Sequence, residues 1–102
     1  MNKVMEIVSF KLIAGTSDEA FLEANEKLNL WVQQQPGFET RRLLKQHDDS
    51  WMDVIQWTTL EEAQAAGEKI MQELGDSPCM AMINPESVVM NHHELKIQLA
   101  AN

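Results

Sequence analysis

Residues 36–63 read PGFETRRLLKQHDDSWMDVIQWTTLEEA, and the order of signals in this stretch decides the fold. Pro36-Gly37 ends the helix before it, because proline cannot continue a helix and glycine accepts turn geometry. Phe38 to His47 then reads as a strand. Asp48-Asp49-Ser50 is a polar turn signal. Trp51 to Thr58 reads as the next strand, with Trp51, Asp53, Ile55 and Trp57 alternating against Met52, Val54 and Gln56. Strand, short turn, strand is a hairpin. Thr58 and Thr59 each have a glutamate three residues on, so the chain re-enters a helix at once.

Outward from the hairpin the pattern repeats. Upstream, Phe21, Ala24, Leu28, Trp31 and Val32 fall at helical spacing up to about Gln34. Thr16 with Glu19 forms a capping box at the start of this helix, with Ser17 as a competing cap. Before it, Val4 to Ile13 reads as a strand with two largely apolar faces: Val4, Val8, Phe10 and Leu12 on one, Met5, Ile7, Ser9, Lys11 and Ile13 on the other. Downstream, Ala63, Ala66, Ile70 and Leu74 line the second helix, which Gly75 stops. Ser77-Pro78 caps a short helical turn through Ile83, Asn84-Pro85 breaks it, and Ser87 to Leu99 reads as the last strand.

The order is β-α-β-β-α-β, which predicts an α+β, ferredoxin-like domain spanning residues 1–102. Right-handed crossovers place two helices on one face of a four-stranded antiparallel sheet of order 4-1-3-2. The other face has no helix to cover it, yet the first and third strands carry apolar residues on both sides. A second copy of the chain is the simplest cover, so a homodimer is expected.

Charge narrows the partners. Eight Lys and Arg stand against sixteen Asp and Glu, a formal net charge of -8, which repels nucleic acid and anionic lipid. The apolar run Val4 to Ala14 is cut by Glu6 and Lys11 and is too short to span a bilayer. One cysteine, Cys79, offers no internal disulfide, so the expected compartment is the cytoplasm. Its apolar setting suits a packed, inert thiol.

Few residues suggest chemistry. His92 and His93 are adjacent on a strand, so they point to opposite faces and cannot jointly chelate a metal; no metal site is expected. Arg41, Arg42 and Lys45 form a basic cluster that suits either a small anion or the protection of an outer strand's edge. Three tryptophans and seven methionines suit either a cavity for a flat aromatic ligand or ordinary core and dimer packing.

The segment Gln35-Pro36-Gly37-Phe38, with Trp57-Thr58-Thr59-Leu60-Glu61-Glu62-Ala63 after the hairpin, resembles the antibiotic biosynthesis monooxygenase (ABM) superfamily of dimeric α/β barrels. The resemblance covers nearly the whole chain in element order. It implies a dimer whose sheets face each other, with substrates held between each sheet and its own helices. It further implies oxidation of a small aromatic or hydrophobic substrate by O2, with no cofactor. On this resemblance His93, His92 and Asn91 are the candidate catalytic groups, a histidine taking the substrate's proton near neutral pH. Trp31, Trp57, Met90 and Phe10 are the candidate pocket residues. A haem-degrading branch of the family uses a histidine on the second helix, and Leu60 to Leu74 contains none. The alternative is a non-catalytic dimer that binds a ligand or a protein partner.

Overall fold

The computed structural model describes residues 2–102. Four antiparallel strands, β1 (Val4–Phe10), β2 (Phe38–Lys45), β3 (Trp51–Trp57) and β4 (Val89–Glu94), form one sheet of order β2-β3-β1-β4. Helices α1 (Asp18–Gln33) and α2 (Leu60–Leu74) pack on the same face, followed by the single turn α3 (Pro78–Ala81) and a 3-10 turn at Pro85–Ser87. The α+β, ferredoxin-like arrangement and its strand order are those the residue pattern predicts.

Element ends follow from available partners. β1 stops at Phe10 rather than Ile13 because its neighbour β3 begins opposite, at Trp51. The chain then stays extended against the α3 segment, with Leu12 bridging Ile83 and the Ile13 amide donating to Met82 O at 2.9 Å. β4 runs only from Val89 to Glu94, not from Ser87 to Leu99. Ser87 belongs to the 3-10 turn, and Glu94 faces Val4, the first residue of β1. One further bond, from the Leu95 amide to Lys3 O at 2.8 Å, ends the ladder. β2 ends at Lys45 because the Gln46 amide already closes the hairpin turn onto Ser50 O at 2.8 Å.

The caps also sort themselves. At α1 the competing residue, Ser17, is the cap, accepting from the Ala20 amide. At α2 Thr59 is the cap, and the Glu62 amide and carboxyl both bond its hydroxyl. This N-cap is worth about 1 kcal/mol. Gly37 has φ +83°, and a Cβ there would collide with Glu62, so the turn into the hairpin requires glycine.

Two apolar clusters occupy opposite ends of the helix-covered face. Val32, Ile55, Trp57, Ala63 and Ala66 form one, with Trp31 and Phe38 against it. Phe10, Phe21, Trp51 and Cys79 form the other. There the Phe21 ring meets Phe10 and Trp51 edge-on at 5.7 and 5.1 Å. Burial pushes the Cys79 thiol above its ordinary pKa, which suits an inert core residue.

A polar band separates the clusters. Arg41 turns inward from β2, binds both carboxylate oxygens of Asp53, and donates to Asn25 and Asn29 of α1. Arg41 is therefore neither a free anion binder nor an edge guard; it ties α1 to the sheet. Lys45 is likewise engaged, by Asp18 at 2.7 Å.

Glu39 sits at an irregularity of the β2–β3 ladder, where it meets three donors: Lys3, Gln56 and Thr58. Lys3, then Gln56, hold its carboxyl below the ordinary carboxylate pKa. A lowered carboxylate stabilises the fold above the unfolded-state pKa, and that stability fades as pH falls through the lowered value. Glu39→Gln is therefore expected to cost less than about 1 kcal/mol at neutral pH, because the pair is partly solvated. Denaturant titrations should show the difference from wild type vanishing in acid; a cost independent of pH would contradict this account.

Candidate functional site

Where β1 begins and β4 ends, a groove of about 280 Å³ runs beside the first turn of α2. Val4, Thr59, Leu60, His92, His93 and Glu94 are among its lining residues. Strand register explains the assembly. His92 stands opposite Glu6 on β1, and both point to the helix-covered face. There His92 Nε2 lies 2.9 Å from Glu6 Oε2. Glu6 is 7% exposed, whereas the His92 side chain is 23% exposed and reaches the groove. Nearby, Glu94 is held below its ordinary pKa by a hydrogen bond from Lys96.

This arrangement sets an imidazole against a buried carboxylate at the wall of an opening, where the ring could exchange a proton with a bound molecule. Two other depressions, of about 440 Å³ beside Lys11 and Ser87 and about 370 Å³ beside Asn29 and Phe38, contain no histidine.

The other candidate residues fall as follows. Asn91 and His93 point to the uncovered face, opposite Ile7 and Met5; His93 still borders the groove that His92 lines, and Asn91 does not. Trp31 and Trp57 meet in the first apolar cluster, where the Trp31 indole N–H donates to Glu73 at 3.1 Å. Trp57 is 1% exposed and its indole N–H finds no acceptor among the described residues. Phe10 belongs to the other cluster, about 20 Å away at the far end of a seven-residue strand. Met90 is exposed on β4. Trp31, Trp57, Met90 and Phe10 thus do not line one common pocket.

Glu6 escaped the sequence reading. The signal was present: its parity with Val4, Val8 and Phe10 puts a charge on an otherwise apolar face. α2 carries no histidine, so the residues do not fit the haem arrangement described above. Among the described residues no three His, Cys, Asp or Glu side chains cluster for a metal ion. No helix among them is long and apolar enough to cross a membrane.

No protein family model and no curated protein matches the sequence. Solved structures do match. SnoaB from Streptomyces nogalater, a cofactor-independent oxygenase, superimposes with a TM-score of 0.64 at 17% identity, over 98% of this chain and 97% of that one. A monooxygenase from Streptomyces coelicolor, solved with nanaomycin D, gives 0.66 at 13% identity, over 99% and 94%. A heme-degrading protein from Mycobacterium tuberculosis gives 0.69 at 19% identity, over 98% of both chains. At these identities the likeness is one of fold: the chain shares the α+β, ferredoxin-like fold of these proteins.

Proposed function

We propose that this chain is a cofactor-independent monooxygenase of the ABM fold, acting as a homodimer on a small aromatic substrate, with His92 as the base. The observation that carries this reading is His92 held by a buried carboxylate at the wall of a groove. In an anthrone-like substrate, loss of a proton gives a carbanion rich enough in electrons to react with O2. The hydroperoxide that follows loses water, so one oxygen atom becomes a ring carbonyl and the other leaves as water. The protein's part is to bind the flat ring system, take the proton and exclude bulk water. SnoaB and the nanaomycin-bound monooxygenase, which share the fold, support this class of chemistry.

Surface area supports the dimer. A monomer of 11.6 kDa exposes about 5,800 Å² by the scaling of area with mass. This chain exposes 6984 Å². The excess, about 1,100 Å², is shared between the exposed tail that follows β4 and the sheet face that no helix covers. Met5, Ile7, Met52 and Val54 at the centre of the uncovered face, and Ile97 and Leu99 in the tail (80% and 89% exposed), are the apolar surface a partner would cover.

The test is oxygen uptake with an anthrone-like substrate. His92→Ala is expected to lower kcat about 10²- to 10⁴-fold. Full turnover in a variant lacking both histidines would remove the base from the scheme. Absence of both turnover and binding in the wild type would favour the non-catalytic dimer.

A further inference from the structure

We propose that Glu6 is a positioning residue for His92: it anchors Nε2, leaves Nδ1 as the free base, and supplies the negative charge that meets the imidazolium formed on proton transfer. This rests on the reading of the groove as a site for an acidic aromatic molecule.

Glu6 lies in an apolar setting, with Val4 and Val8 along its strand and Ile55 opposite on β3. Burying a carboxylate there is costly, and an apolar side chain of similar volume would serve the fold at least as well. Its neighbour in the same layer shows what full compensation looks like. Asp53, one step along the diagonal on β3, is gripped at both oxygens by Arg41. Among the described residues Glu6 has no such cation, and its hydrogen-bond partner is His92. If the Glu6 carboxyl is ionised it can only accept, which assigns the ring proton to Nε2 and leaves Nδ1 its lone pair. Among the described residues lining the groove, the other charged groups are Glu61 of α2 and Glu94, which Lys96 holds at 2.8 Å; the Asp53–Arg41 pair lies beyond Glu6 in the same layer. When His92 takes a proton, Glu6 is the counter-charge already in contact.

The step balances without a co-reactant. A phenol O–H bond breaks, an Nδ1–H bond forms, and the pair becomes phenolate and imidazolium beside the Glu6 carboxylate.

The probe is 4-nitrophenol, whose phenolate absorbs in the visible, titrated just below its own pKa. Wild-type protein is expected to bind it and raise its phenolate fraction. Glu6→Gln keeps shape and acceptor but loses the charge, so the bound probe should give about five-fold less phenolate, the equivalent of roughly 1 kcal/mol for a charge-assisted contact. His92→Phe should abolish the signal, and Glu6→Gln should then add nothing. Glu6→Leu should lose the signal while keeping or raising Tm. An equal phenolate yield in wild type and Glu6→Gln overturns the proposal and leaves the binding reading intact. So does an effect of Glu6→Gln that persists without His92, or a Glu6→Leu protein that loses Tm but keeps the signal. Failure of the wild type to bind any phenol overturns the proposed function and this inference with it.

Discussion

Replacing Arg41 by methionine is expected to destabilise the fold by about 3–5 kcal/mol, a large part of the 5–15 kcal/mol typical of a whole domain. The Arg41 and Asp53 side chains are 8% and 12% exposed, and the contact is bidentate. Removing the cation leaves Asp53 buried, on the same strand face as Trp51 and Ile55, with its charge unanswered. Asn25 and Asn29 also lose a donor each. Pairing Arg41→Met with Asp53→Leu should recover much of the loss, because apolar residues of similar volume replace buried ion pairs at little cost. Urea unfolding of the single and double variants measures both numbers. A single-variant cost below 1 kcal/mol would mean that the network is incidental to the fold.

Ile7→Arg should dissociate the proposed dimer while leaving the subunit folded. Ile7 faces Val54 on one side and Asn91 on the other, at the centre of the face no helix covers. A two-fold interface repeats every substitution, so each dimer would gain two buried, unpaired cations. At about 2 kcal/mol or more per copy, Kd should rise by at least roughly a thousand-fold. Analytical ultracentrifugation reads the shift directly, and circular dichroism checks the subunit. A wild-type protein that sediments as a monomer, or a variant that stays dimeric, would remove this face from the interface.

The site residues were partly legible for a reason that differs from residue to residue. Parity alone put His92 and His93 on opposite faces, and the register of β4 on β1 keeps them there. Glu6 could be placed on the inner face by counting, but its partner lies 86 residues away. Arg41 looked like an edge residue because strand two is an outer strand. Its side chain instead reaches inward, since Asp53 and the two asparagines of α1 offer it a complete set of acceptors. Phe10 and Trp57 are both large, aromatic and buried, which composition cannot separate into two clusters.

Element type and order were determined by the sequence itself: hydrophobic period, capping threonines and the Pro36-Gly37 break act over a few residues, so their effect is readable locally. The doubly apolar strands likewise imply a second layer over the sheet face that no helix covers. Tertiary structure alone decided where β1 and β4 end, because a strand lasts only as long as its neighbour supplies ladder partners. It alone joined Glu6 to His92 and Arg41 to Asp53 and Asn25. Buried charges are stable only beside a counter-charge or donor, and that partner is set by strand register and helix placement, which no local stretch of sequence contains.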